Sequence, residues 1–598
     1  MAQFIRKLLF LLDPWSRRRL GFLFAAILLT ALLETASLGL FFPIMQMIVD
    51  PGQVPSWFPQ VLAEMTPARR TVTVALSFGV FFAFKNMALL ATTYLNNRLS
   101  CAMMARFEHR LFSHYLRQPY PVHLGRNTSH IIQSLTLNAL RVFDCVRTLL
   151  NITLELLMIA GGVAVLVTVE PWITVGSAMV FGSVGFVIFR VIAPLMREWG
   201  ARSVTVERGL IRTIQHAFNS VRSIKIQHRE RYFEDGFRHL IFQEAYLRTM
   251  SYTMQHIPRL FVELVVVLGF LGIVVGLMVT RGSLTEILPT LGLFGMVALR
   301  LMPSLNRILQ GASDLKLRSP AVELIHADLD GEPLADYVSG AETAVEPLPF
   351  EREIRLDAVT FSYPRSDRAA IRGLSLTIPK GRSVGLVGPS GAGKSTLSEI
   401  ILGLLRPDGG RLLIDGADAA TDIGRWQSRI GYVPQQTYVM DDTLRRNVAF
   451  GLDDARIDEE RLRAAIRMSH LDAVVERLPQ GLDTVVGENG VRLSGGQRQR
   501  LGIARALYHD PDVIVLDEAT SALDNETERE ISSAIEELSG QKTLIIVAHR
   551  LSTVRRCDRI VYLKDGAMVA EADFETLLAT NEDFRRMVDL GTLETGCS

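Results

Sequence analysis

The 598-residue sequence predicts a two-part protein, an α-helical membrane half with six spans followed by a soluble α/β half built around a phosphate-binding loop. Three observations predict this. Apolar runs of about 20 residues or more recur through residues 1–310, long enough to cross a bilayer. Residues 351–598 instead alternate short strand-like runs with amphipathic helical stretches. Within them, GPSGAGKST occupies Gly388 to Thr396, between a strand and a helix. Residues 311–350, where the periodicity weakens and prolines appear, form the predicted linker.

The expected spans are 20–49, 71–97, 148–169, 171–195, 256–280 and 284–309. The first is too long for a cleaved leader and is followed by others. Basic residues fix the orientation. Lys7, Arg17, Arg18 and Arg19 flank the first span, and arginines crowd the segments after the second and fourth. Both termini are therefore expected on the cytoplasmic side. The inner segments lack glycine–proline clusters and keep a helical pattern. Each is read as two membrane helices extending inward and joined by a short transverse helix, with turns near 123–135 and 216–228. The outer stretch VPSWFPQVLAEM (54–65) is read as either a short interfacial helix or an ordered turn.

Charges inside hydrocarbon are costly and usually face the bundle interior. Lys85 and Arg300 each lie ~14 residues in from the outer side, ~21 Å deep. Arg190 and Arg259 sit closer to the cytoplasm. Two readings stand. The basic groups form a belt, with Lys85 and Arg300 its best members, for an anionic headgroup such as phosphate or pyrophosphate, or they snorkel or pair with Glu34, Glu155 or Glu263.

A net charge of +1 gives no bulk attraction to nucleic acid, so no nucleic-acid partner is expected. Cys101, Cys145, Cys557 and Cys597 form no CxxC pair or histidine-bearing metal cluster, and are read as free or buried thiols.

In the soluble half, SVGLV (383–387) reads as a buried strand and LSEIILGLL (397–405) as a helix. Between them, Gly388, Gly391 and Gly393 let the backbone wrap phosphates, while Ser390 and Thr396 lie within the same loop. Lys394 is expected to reach the β and γ phosphates of ATP, and Ser395 to hold Mg²⁺. VIVLDE places Asp517 at a strand end as a second Mg²⁺ contact. Glu518 is then positioned to activate the attacking water. TLIIVAH ends in His549, which a parallel sheet brings to the same edge as a γ-phosphate contact. Gln435, after the strand-like IGYV, is expected to contact metal or water. A second phosphate cradle opens an amphipathic helix at Ser494, Gly495 and Gly496.

This set of residues resembles the ABC transporter family over nearly the whole chain. GPSGAGKS resembles Walker A, VIVLDE Walker B, Gln435 the Q-loop glutamine and His549 the H-loop histidine. LSGGQ (493–497) resembles the signature, Asp524 the D-loop aspartate, and Tyr363 the aromatic that stacks on adenine, so the resemblance groups Ser494, Gly495, Gly496, Gln497 and Asp524 with the nucleotide contacts. VGENG (486–490) resembles the loop facing the coupling helices, but carries Asn489 where exporters more often have arginine. The resemblance implies a head-to-tail dimer in which Ser494 and Gly496 touch the γ-phosphate of an ATP held by the other copy. One P-loop and one signature per chain imply a half-transporter and a homodimer, with a heterodimer of related halves the alternative. ATP closes the dimer, and hydrolysis reopens it.

Six spans with long inner extensions resemble the exporter arrangement in a bacterial inner membrane. LLETASLGLFFPIMQMIVD, which contains Glu34, resembles the corresponding region of bacterial lipid-linked oligosaccharide flippases. That implies an anionic, polyprenyl-pyrophosphate-linked oligosaccharide as substrate, with Glu34, Lys85, Arg259 and Arg300 around the cavity. The alternatives are export of peptides, drugs or other lipids, and an ATP-gated channel or regulator.

Overall fold

The structure is a computed structural model. It describes residues 2–49, 65–169, 171–281, 284–329, 347–364, 366, 368–487, 490–517, 525–548 and 551–595. The chain divides into two compact units. One comprises Met1–Gln118 and Val122–Val338, the other Pro119–Pro121 and Ser339–Ser598.

The first unit is helical: α1 (Ala2–Leu11), α2 (Pro14–Val49), α3 (Pro67–Arg117), α4 (Tyr120–Gly125, whose first two residues, Tyr120 and Pro121, belong to the second unit), α5 (Thr128–Gln133), α6 (Ala139–Val169), α7 (Pro171–Asn219), α8 (Val221–Gln227), α9 (Glu230–Arg281) and α10 (Leu284–Asp328). Among the described residues, four helical stretches are long and apolar enough to cross a bilayer: Pro14–Leu40, Arg69–Arg117, Thr128–Thr168 and Thr174–Asn219. The other two expected spans fall on α9 and α10, where the side chains over 276–294 and 296–301 lie outside the described residues. The expected outer helix falls almost wholly on 50–64, also outside them.

The long helical extensions beyond the apolar runs are present, because their sequences hold a helical period well past the apolar run. α3 stops where Pro119 disfavours helical geometry in the residue before it, and Gln118 is extended at φ −62°, ψ 147°. The short α4 and α8 fall at the two expected turns. α8 ends on His228 in the left-handed region at φ 50°, where the chain reverses into α9.

Packing within this unit mixes apolar and polar contacts. Leu23, Met103, Phe107, Leu111, Phe143, Val146, Val322 and Ile325 form a buried core. Polar pairs link the helices at other levels, where small polar side chains hydrogen-bond across helix interfaces. Thr30 meets Thr92 at 2.7 Å, and the Asn96 amide donates to Asn151 at 3.0 Å. The linker expected from residue 311 begins later. α10 continues to Asp328 because Leu315, Val322 and Ile325 are core residues and hold the helix through that stretch.

The second unit contains two sheets. The antiparallel one has strand order β2-β1-β4-β5, from β1 (Glu353–Phe361), β2 (Ile371–Pro379), β4 (Gly409–Ile414) and β5 (Ala417–Asp418). The other has order β10-β9-β3-β8-β7-β6, from β3 (Ser383–Val387), β6 (Ile430–Val433), β7 (Val513–Asp517), β8 (Thr543–Val547), β9 (Arg559–Lys564) and β10 (Ala567–Ala572). Strands β6, β7, β8, β3 and β9 pair in parallel, so their C-terminal ends share one edge. β3 and β8 are buried at every position, which is why they read as unbroken apolar runs instead of alternating ones.

Candidate functional site

Two loops at that shared sheet edge, and one helix start, carry the expected chemistry. The first loop follows β3 and feeds α11 (Lys394–Ile401). Gly388 and Gly393 adopt φ +149° and +100°, in the region that favours glycine. A Cβ at Gly388 would sit 2.1 Å from the Leu563 carbonyl oxygen, so the backbone itself fills the space where a side chain would go. The loop is a wrapped backbone ending at a helix N-terminus, whose first N–H groups have no partner in their own helix. Lys394 is buried, and its Nζ donates to the carbonyls of Gly388 at 2.8 Å and Pro389 at 3.2 Å, folding the ammonium over the loop. Ser390, Gly391 and Ser395 are exposed, and Thr396 is buried. Gly388→Ala is expected to cost roughly 1–3 kcal/mol through backbone strain. Thermal unfolding and an ATP-binding isotherm should both register it.

Tyr363 is half-buried after β1, with its ring edge-on to Phe361 at 5.1 Å. Its hydroxyl lies 3.1 Å from Thr396 Oγ1 and donates to Glu399 Oε2 at 3.1 Å. Burial, with the Glu399 charge acting in the same direction, raises the Tyr363 hydroxyl above its ordinary pKa.

Asp517 closes β7, and the Tyr432 hydroxyl on β6 donates to its carboxylate. The register explains this contact. Tyr432 pairs with Val515, so Tyr432 and Asp517 share a sheet face one diagonal apart, within reach of an aromatic side chain. Burial, followed by the neighbouring Asp517, pushes the Tyr432 hydroxyl well up. Gln435 is exposed two residues beyond β6.

The second cradle starts α12 (Gly495–Leu507). Ser494 is its N-cap, with Oγ accepting from the Gln497 N–H at 3.3 Å while Gln497 Oε1 accepts from the Ser494 N–H at 2.9 Å. Gln497, grouped with the nucleotide contacts in the sequence, therefore has its side-chain oxygen engaged in its own helix cap. Ser494 and Gly495 are exposed, and Gly496 is buried. α12 packs on the edge strand β6, three strands from β3. That is an offset of about 14 Å at ordinary strand spacing. The P-loop and the signature helix thus sit at different places on one sheet. Glu518, Asp524, His549 and Asn489 lie outside the described residues.

In the helical unit, Lys85 and Glu34 form a buried ion pair at 2.6 Å, with side chains 5% and 3% exposed. The Lys85 ammonium also stands 4.0 Å above the Phe82 ring. The Lys85 ammonium is thus paired with Glu34 here. Glu155 pairs with Arg307 at 2.6 Å, a residue the sequence reading did not single out. Arg259 is exposed, and the Arg300 side chain lies outside the described residues. Glu399 and Tyr432 were also missed. The available signal for Glu399 was its i, i+3 spacing from Thr396 on one helix face.

Residues 371–521 match the family model described as ABC transporter, and residues 22–285 the model described as ABC transporter transmembrane region. Similar curated proteins include the ATP-dependent lipid A-core flippase of Cupriavidus pinatubonensis, 30% identical over 83% of this chain and 84% of the relative. The flippase of the same description from Chromobacterium violaceum is 29% identical over 97% of this chain and 98% of the relative. Among solved structures, a bacterial Atm1-family ABC exporter with ATP bound matches at a TM-score of 0.79 and 23% identity, over 96% of this chain and 99% of that one.

Proposed function

The chain belongs to the ABC transporter family as an exporter-type half-transporter, with ATP hydrolysis coupled to transport, and from that premise we propose that a homodimer moves an anionic lipid across a bacterial inner membrane. The observation that carries this is the fusion, in one chain, of a glycine-wrapped phosphate loop with bilayer-length helices. In this reading Lys394 and the backbone of Gly388, Ser390, Gly391, Gly393, Ser395 and Thr396 hold the triphosphate of ATP, and Tyr363 faces the base. Ser494, Gly495 and Gly496 of the second copy close over the γ-phosphate, with Asp524 at the dimer seam. The lateral offset between the P-loop and α12 in one copy supports a nucleotide shared between two.

Glu518 takes the proton of the attacking water and His549 steadies the γ-phosphate. The Ser395 hydroxyl, the Asp517 carboxylate and the Gln435 amide oxygen are all hard oxygen donors, a set that fits Mg²⁺. When bound, Mg²⁺ neutralises charge on the β and γ phosphates. ATP draws the two copies together, and its hydrolysis releases them. The distribution of basic residues supports cytoplasmic termini.

The names of the flippase relatives support a lipid substrate. The finer reading is a polyprenyl-pyrophosphate-linked oligosaccharide gripped by Arg259 and Arg300, with Lys85 held by Glu34. A lipid A-core-type glycolipid is the second reading, favoured by the relatives' descriptions.

The test is reconstitution of the purified chain in vesicles carrying a labelled polyprenyl-pyrophosphate glycan, a lipid A-core glycolipid or a neutral lipid. ATP-dependent movement of the first, reduced in Arg259→Ala and Arg300→Ala, is the expected result. Movement of the second alone selects the alternative substrate. Transport of peptide without movement of any lipid overturns the lipid reading.

A further inference from the structure

The helix that follows the phosphate loop reaches sideways to the aromatic ring beside it. Thr396 and Glu399 occupy one face of α11, three residues apart, and both hold the Tyr363 hydroxyl at 3.1 Å. The same ring is wedged edge-on against Phe361 at 5.1 Å. A tyrosine in a surface recess ordinarily turns about χ1 and χ2. Here its far end is tied to the segment that wraps the phosphates, so ring and loop share one frame. Glu399 has a second hydroxyl on it, with Tyr120 donating to Oε1 at 3.4 Å. That contact holds the carboxylate while Oε2 serves Tyr363. Burial raises both tyrosine hydroxyls above their ordinary pKa and the Glu399 charge adds to it, while the Thr396 hydrogen bond acts the other way on Tyr363.

We propose that Glu399 is a positioning residue for nucleotide binding, which locks the Tyr363 ring in place as a platform for the base. The proposal rests on the reading that Tyr363 faces the base. Its physical content is preorganisation, since a ring fixed before the ligand arrives loses no rotamer freedom when the ligand lands. The carboxylate acts as an acceptor; an amide that turns its oxygen to Tyr363 and its NH₂ to the Tyr120 oxygen retains the hold on the ring, and a hydrocarbon abolishes it. The effect is confined to the base, because the phosphates are held by the loop backbone and Lys394.

The experiment measures the affinity of the full-length protein for ATP and for inorganic tripolyphosphate by titration calorimetry. For Glu399→Leu, a roughly 3- to 10-fold loss of ATP affinity is expected, the span that ordering one side chain gives, with tripolyphosphate affinity unchanged. Glu399→Gln should match the parent for both ligands. In turnover assays Glu399→Leu should raise the KM for ATP and leave kcat alone. Unchanged ATP affinity in Glu399→Leu overturns the proposal. Parallel loss of both ligands also overturns it, because α11 itself would then have moved. Tyr363→Ala separates the proposal from the reading beneath it. If Tyr363→Ala leaves the ratio of ATP to tripolyphosphate affinity intact, Tyr363 is no base platform and the underlying reading fails. If that ratio falls in Tyr363→Ala but not in Glu399→Leu, only the role of Glu399 fails.

Discussion

Glu518→Gln is expected to lower steady-state ATP turnover by about 10²- to 10⁴-fold, the usual contribution of a positioned general base, while ATP binding persists. The argument runs from the strand. β7 is buried along its apolar length and ends at Asp517, at the edge where the loop after β3 also emerges, and Glu518 is the next residue in the sequence. An amide there matches the carboxylate in size and still hydrogen-bonds a water, but it takes no proton. The phosphate loop, Lys394 and the Ser494 cap are untouched, so under the proposed shared site the triphosphate is expected to stay bound and to bridge two copies. The variant should therefore accumulate as an ATP-bound closed dimer. Phosphate release measures the first effect, and crosslinking between cysteines placed at Ser390 and Ser494 measures the second. Parent-level turnover would move water activation away from Glu518. Loss of crosslinking along with turnover would mean that the substitution had damaged binding itself.

Much of this fold was legible because its signals are local. The unbroken apolar runs of β3 and β8 follow from burial on both faces of a parallel sheet. The glycines at 388 and 393 follow from backbone conformations that other residues resist. The turns were expected near 123–135 and 216–228, whereas the helices break at Gln118, ahead of Pro119, and at His228, so the second was placed more closely than the first. What escaped is partner choice between distant elements. Nothing near Tyr432 announces Asp517, because their contact exists only through the β6–β7 register. Glu399 looks like one more polar residue on an amphipathic helix until Tyr363 is folded against it. The linker was drawn too early because α10 beyond residue 310 is held by core contacts made at Leu315, Val322 and Ile325, which a local window does not see. Gln497 shows the converse case, in which a residue grouped with the ligand contacts by motif is bonded to its own helix start.

Lys85 and Glu34 carry the second large effect. Lys85→Met is expected to destabilise the helical unit by about 3–5 kcal/mol, the cost of stranding the other member of a buried ion pair. Glu34→Gln should cost a similar amount, while the double variant Glu34→Gln, Lys85→Met should recover most of it. The pair is 2.6 Å apart and almost fully shielded, so removing either charge takes a close counter-charge from the other. Exchanging both for neutral groups of similar volume removes the attraction and the desolvation cost together. Thermal unfolding of the four proteins in one detergent completes the cycle, and a coupling near zero would mean that the two groups stabilise independently. The same four proteins also decide what Lys85 does for transport. If its ammonium serves only Glu34, the double variant regains lipid-stimulated ATP turnover along with its stability. If it grips an anionic headgroup during the cycle, the double variant folds like the parent but loses the stimulation, because no cation remains at that depth on α3. A group bound this closely to a carboxylate becomes available to a phosphate only when the pair separates, so the second outcome would also identify breaking of the Glu34–Lys85 pair as a step of the cycle.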